Sequence, residues 1–216
     1  MKIFRVGLFL AALSVCGLQA KDVLVEAKGA YFYPTNSKFR HIYGNGVGLF
    51  GVEVTPEIWQ RWYGFASVDW AATSGTSIGL GTYTSVTLLP IAAGVKYIYD
   101  INERWDWYVG LGGQGTWIQT RDHSSFVHHT ISKWSWGGII KTGFLINTDS
   151  KWFFDIFGSY CLMTSVGTDT KPFKTGFITG GHADPSGFAG GIGIGYRFGC
   201  KDQPRCCTPY VAPPCR

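Results

Sequence analysis

Charge is scarce in this chain: 15% of its 216 residues are Asp, Glu, Lys or Arg. The net +5 is not concentrated into a Lys/Arg stripe, and the aromatics are spread through strand-like segments, so nucleic-acid binding has no electrostatic footprint here. Long apolar runs are missing too. The candidate, Val6 to Val15, is short for a membrane helix and nothing like a stop-transfer segment follows it. Ser, His and Asp all occur, yet they form no local nucleophile motif, so no catalytic residue is named and an enzyme is not expected. The five histidines, His41, His123, His128, His129 and His182, lack acidic or cysteine partners at ligand spacing. His128-His129 therefore reads as an exposed loop pair, and neither metal nor cofactor is expected.

What the chain has in plenty is glycine and aromatic residues: 30 Gly, 15 Phe, 11 Tyr and nine Trp. That composition is unusual for a helical protein and fits a β-barrel, with aromatics at membrane interfaces and glycines where walls curve or pack closely. Lys2 and Arg5, the apolar run, and then Gly17-Leu18-Gln19-Ala20 have the layout of a secretory signal cleaved near Lys21 or Asp22. Cys16 raises a lipoprotein reading, against which stands the bulky Val15 before it. Removal of residues 1–20 leaves 17 basic against 14 acidic side chains, a mild +3.

Eight segments have strand character, near 22–33, 46–55, 61–72, 84–99, 105–119, 133–147, 151–164 and 187–199. The links after the second, fourth and sixth are short: Pro56 to Gln60, Asp100 to Arg104 and Thr148 to Ser150. The links after the odd-numbered segments are longer and polar, near 34–45, 73–83, 120–132 and 165–186. Short turns at one end and long loops at the other predict an all-β fold, an eight-stranded antiparallel transmembrane β-barrel, with the short side facing the periplasm. A soluble Greek-key sandwich would have no reason to keep this alternation.

Period two tests the assignment, because a charge on the lipid face is costly while one in a lumen can find a partner. In each strand the charge stands opposite an apolar face. Glu26 and Lys28 oppose Val23, Val25, Tyr31 and Tyr33; Glu53 opposes Phe50 and Val52; Asp69 opposes Trp62 and Trp70; Lys96 opposes Leu89 and Ile91. Lys141 opposes Trp136 and Ile140, Asp155 opposes Phe154 and Ile156, and Arg197 lies opposite Phe188, Ile192, Ile194, Tyr196 and Phe198. In the fifth strand Gln114 and Thr116 take the inner face. The predicted lumen thus pairs Glu26, Glu53, Asp69 and Asp155 with Lys28, Lys96, Lys141 and Arg197, a network that would leave little open cross-section in so small a barrel. The network reads first as structural; lining a narrow conduit or binding a small solute is the sharper alternative.

The exported start, the turn and loop alternation and the closing GIGIGYRF, over about residues 22 to 199, resemble the small eight-stranded outer-membrane barrels of Gram-negative bacteria, of the outer membrane protein A membrane-domain and outer membrane protein W types. The resemblance implies a terminal aromatic signal for the barrel-assembly machinery, carried by Tyr196 and Phe198. It also implies a setting among outer-membrane lipid and lipopolysaccharide. Roles found in that group, envelope anchor, adhesin or route for small compounds, become expectations for this chain.

Residues 200–216 depart from the pattern. They place Cys200, Cys206, Cys207 and Cys215 beside four prolines, too short a segment for a folded wall-binding domain. A barrel that starts in the periplasm ends there, so these cysteines are disulfide candidates in an oxidising compartment, and linkage to another envelope protein is one expectation. Irregular spacing argues against zinc. Cys161, late in the seventh strand on the Asp155 face, is expected near the opposite rim and out of reach of the tail. The organisation expected is signal 1–20, barrel 21–199 and periplasmic tail 200–216. A structural envelope role leads, with a narrow transporter of small amphipathic solutes and a loop-dependent adhesin as rivals.

Overall fold

A computed structural model describes residues 22–37, 40, 45–76, 83–122, 130–164, 166–167, 182–183 and 186–199. Its strands are β1 (Asp22–Pro34), β2 (Val47–Trp59), β3 (Trp62–Thr76), β4 (Tyr83–Asp100), β5 (Trp105–Asp122), β6 (Thr130–Asn147) and β7 (Trp152–Met163). Then come the two-residue strands β8 (Val166–Gly167) and β9 (His182–Ala183), and the closing β10 (Gly187–Gly199). Eight of them form a closed antiparallel barrel in the order β1-β10-β7-β6-β5-β4-β3-β2, while β8 and β9 pair with each other. Closure removes the edges that an open sheet would expose. It runs from Asp22 opposite Gly199 to Pro34 opposite Gly187.

The expected strands are all present, and β3 to β6 run longer than read, with β4 and β5 paired as far as Thr84 opposite Asp122. One link needs correcting. Pro56 to Gln60 is not a loop: Pro56 pairs with Val23, β2 continues to Trp59, and only Gln60 and Arg61 separate it from β3. A register shift between Glu57 and Trp59 and a left-handed Gln60, φ 43°, allow so tight a reversal. Asn102 organises the β4–β5 turn, its side-chain oxygen accepting from the backbone N–H groups of Arg104 and Trp105 at 2.9 and 2.8 Å. In the β6–β7 turn the Thr148 hydroxyl donates to the Trp152 carbonyl at 2.6 Å.

Alternation sorts the two faces cleanly. Outward stand Phe50, Trp70, Trp136, Ile156, Ile192 and Phe198, each at least half exposed. Aromatics collect at both ends of this apolar band. At the turn end are Trp62 against Tyr97 and Trp152 against Tyr196, ring centroids 5.2 and 5.3 Å apart; at the loop end are Tyr160 against Phe188 at 4.4 Å and stacked Trp134 and Trp136 at 5.5 Å. Phe188 and Phe198 bracket the outer face of β10. Their ten-residue separation is about 34 Å along a strand, or about 26 Å at a ~40° tilt, close to the ~25 Å apolar band of a membrane barrel. An exterior this apolar along the wall, with charge turned inward or left at the two ends, as for Arg61 and Asp100, is that of a barrel crossing a bilayer on its strands.

Candidate functional site in the barrel interior

Every charge that period two turned inward is on the inner face. Glu26, Lys28, Glu53, Lys96, Lys141, Asp155 and Arg197 are buried, and Asp69 is half-buried at the edge of a cavity. They do not share their partners evenly. Glu53, 1% exposed, takes all three lysines: Lys28 at 2.5 Å and Lys141 at 2.6 Å on Oε2, and Lys96 on Oε1, with the Thr55 hydroxyl donating to Oε1 at 3.3 Å. Glu53 sits opposite Glu26 in the β1–β2 ladder, so β1 and β2 carry the acidic centre while β4 and β6 bring two of the cations from across the lumen. A carboxylate offers about four acceptor sites, enough for this company.

Aromatic faces complete the lysine environment. Lys96 lies over the Tyr108 ring at 4.5 Å, Lys141 over Phe65 at 4.7 Å and Lys28 over Phe157 at 5.4 Å. Each ammonium is thus held between one carboxylate and a ring quadrupole, an arrangement suited to a cation removed from water. Glu26 is served less well: its approach to Lys28 is 3.9 Å, too long for a hydrogen bond. Asp155 accepts from the Tyr108 hydroxyl at 2.9 Å through Oδ2.

A second cluster lies at the turn end. Arg197 reaches Asp22 at 3.6 Å and Asp106 at 3.7 Å; Tyr63 donates to Asp22 at 3.3 Å, and Asn147 to Asp106 at 2.7 Å. Asp22 and Asp106 are interior acids that the sequence reading omitted. Asp106 was within its reach, since it shares the even-numbered inner face of β5 with Gln114 and Thr116. Between this cluster and the lysines pack Leu24, Ile98, Tyr108, Leu145 and Phe153, with Tyr63 and Phe157 against them. Gly195 makes room for Phe153: a Cβ there would run into the Phe153 ring.

Toward the loop end the filling is aliphatic, with Phe32, Val47, Leu49, Ala71, Val86, Leu88, Cys161 and Met163 buried together. Cys161 is interior, as its strand parity required, and its thiol donates to the Gly187 carbonyl at 3.5 Å. Between these residues and the lysines lies a cavity of about 50 Å³, lined by Lys28, Lys141 and Asp69 on one side and by Phe32, Leu49 and Ile139 on another. The interior therefore has four layers: a salt-bridged base, an aromatic-rich plug, the Glu53 hub and a small cavity beneath apolar side chains.

No family model matches the chain, and no curated protein sequence does. Solved structures do. OprG, an outer membrane protein of Pseudomonas aeruginosa, superposes with a TM-score of 0.59 at 15% identity over 84% of this chain and 97% of its own. Neisserial surface protein A gives 0.53 at 13% identity over 82% and 97%. Ail, the attachment invasion locus protein of Yersinia pestis, gives 0.52 at 13% identity over 83% and 100%. This is the fold of the small eight-stranded outer-membrane barrels. At such identities the likeness concerns architecture, and the interior chemistry has to be read from this chain's own residues.

Tyr196 and Phe198 face outward on the closing strand, their rings 4.9 Å apart. The four tail cysteines, Cys200, Cys206, Cys207 and Cys215, residues 1–20 and His41, His123, His128 and His129 lie outside the described residues, whereas His182 pairs with Gly167 between β9 and β8.

Proposed function

We propose that this protein is a structural component of a Gram-negative-type outer membrane, a closed barrel that contributes to envelope integrity instead of conducting solute. The observation that carries this reading is the filled turn end, where Tyr108, Phe153 and Asp106, none more than 1% exposed, stand within the lumen beside Leu24 and Arg197. Eight strands enclose room for side chains or one small ligand, and here side chains take most of it.

In this reading residues 1–20 are the export signal, the turns and residues 200–216 face the periplasm, and the long loops face outward. Tyr196 and Phe198 serve the assembly machinery, and lipid and lipopolysaccharide surround the wall. Cysteines of the tail join the barrel to a second envelope protein. Apolar exterior, enclosed charge and the shared architecture support the membrane setting. The cysteine-rich composition of the tail supports the linkage.

Planar-bilayer recording of the refolded chain tests the closed lumen. Flat traces are expected, and large, reproducible single-channel steps would overturn it. Non-reducing gels of native envelopes test the linkage: a reductant-sensitive adduct larger than the monomer is expected, and a monomer in both lanes would remove that part.

A further inference from the structure

The charges around the Glu53 hub do not balance. Glu26, Glu53, Asp69 and Asp155 stand against Lys28, Lys96 and Lys141, four acids to three lysines, while Arg197 lies below the aromatic plug with Asp22 and Asp106. All three ammoniums are spent on Glu53. Fully ionised, the cluster would hold one uncompensated negative charge in a lumen filled by side chains, where an unpaired carboxylate is strongly disfavoured. Asp69 is the acid with access to space, because it borders the cavity, whose volume of about 50 Å³ admits about three or four waters. Glu26 and Asp155 do not border it.

The shortfall therefore falls on these two side chains. Glu26 is 5% exposed and Asp155 1%, and each has a buried oxygen without a hydrogen-bond partner, Glu26 Oε1 and Asp155 Oδ1. Asp155 has one donor, the Tyr108 hydroxyl on Oδ2, whereas Lys28 stops 3.9 Å from Glu26. Both carboxyls border Gly193, where a Cβ would stand 3.3 Å from the Asp155 Cβ and 3.4 Å from Glu26 Oε2. Around Glu26 the neighbouring strands bring Lys28 on β1, Glu53 on β2, Lys96 on β4 and Asp155 on β7; β10 sets Gly195 opposite it. Asp69 on β3, Tyr108 on β5 and Lys141 on β6 complete the ring.

We propose that Glu26 and Asp155 hold one proton between them, carried by Glu26 as an O–H donor and accepted by Asp155 Oδ1. That proton gives both orphan oxygens a partner and leaves three carboxylates against three ammoniums. It needs no cavity. In the unfolded chain an exposed Glu ionises at about pH 4.3, so folding at neutral pH takes up this proton, and stability falls as pH rises. The inference depends on the closed barrel alone and stands apart from the envelope reading, which conductance and gels test.

The test is the infrared spectrum of the refolded chain at neutral pH in uncharged detergent and heavy water, which separates protonated from ionised carboxyls. The parent is expected to show the carbonyl stretch of a protonated carboxyl. Glu26→Gln preserves the shape and the neutral state, so it should keep the fast-migrating folded band on unboiled gels and lose that stretch. Asp155→Asn leaves three acids against three lysines, so Glu26 should ionise and the stretch should vanish there too. Urea unfolding gives a second readout: the unfolding constant of the parent relative to Glu26→Gln should rise by up to about tenfold per pH unit between about pH 6 and about pH 8. No protonated-carboxyl stretch in the parent, a stretch that survives in either variant, a Glu26→Gln chain without the folded band, or a ratio that does not change with pH would each overturn the proposal.

Discussion

The two ends of the lumen are built on the same alternation and reach different results. At the turn end, Tyr108, Phe153 and Tyr63 place rings among Leu24, Ile98 and Leu145, and Arg197 ties Asp22 to Asp106 beneath them. At the loop end the inner face offers mainly aliphatic or small side chains, including Val47, Ala71, Val86 and Leu88, and a cavity persists below them. With strand number fixed, side-chain volume on the inner face decides whether a barrel this narrow is solid or hollow. The Glu53 hub is the boundary between the two halves.

Loss of that boundary should cost most. Glu53→Gln keeps the shape and removes the charge on which three buried ammoniums depend. Breaking a single buried pair costs about 3–5 kcal/mol, and three cations place this variant at or above that range. Urea midpoints of the refolded barrel, read by tryptophan fluorescence, should fall accordingly or the chain should fail to give the folded band. A midpoint within error of the parent would mean that the lysines find other partners and that no boundary exists.

The turn end is broken next by Phe153→Ala. Phe153 is 1% exposed and packs in the space that Gly195 leaves. Truncation of a buried Phe costs about 3–5 kcal/mol, and here it also hollows the solid half. The comparison predicts lower stability together with increased permeation of small ions in bilayer recordings. Lower stability with flat traces would show that the Glu53 hub seals the lumen without the aromatic plug.

Much of this was legible beforehand, for a physical reason: in a membrane barrel one face meets lipid, so each strand sorts its charges by parity. Glu26, Asp69, Lys96 and Asp155 could be assigned inward from their apolar neighbours alone. Parity did not reveal which charges meet. That Glu53 gathers three lysines while Glu26 has only a distant contact depends on side-chain reach across the lumen, which period two does not encode. Inward aromatics escaped as well, because Tyr63, Tyr108 and Phe153 resemble the interfacial aromatics in composition and differ only in parity. Asp22 was hidden at the start of its strand, and the β2–β3 link was misread because Pro56 looks like a turn residue although it pairs within β2.

A smaller effect separates the hydrogen bond from the packing in the plug. Tyr108→Phe keeps the ring beneath Lys96 and withdraws the hydroxyl from Asp155. Leaving that buried carboxylate without its donor should cost about 1–3 kcal/mol in the urea midpoint, less than Phe153→Ala. An equal loss in the two variants would assign the plug's contribution to its polar contacts instead of its volume.

The smallest change in stability is expected from Ala189→Leu, and its sign sharpens the comparison. In the loop-end half added methylenes enter existing space, so the transfer gain of burying them offsets the strain of fitting them, and the midpoint should move by less than about 1 kcal/mol. The matched change at the turn end, Gly195→Ala, adds a single carbon against the Phe153 ring and should cost about 1–3 kcal/mol, because the solid half has no room for it. A larger side chain tolerated at one end and a smaller one refused at the other would establish that the lumen is hollow only above the hub. The reverse order would put the free volume at the turn end and move any ligand-sized space to the other side of Glu53.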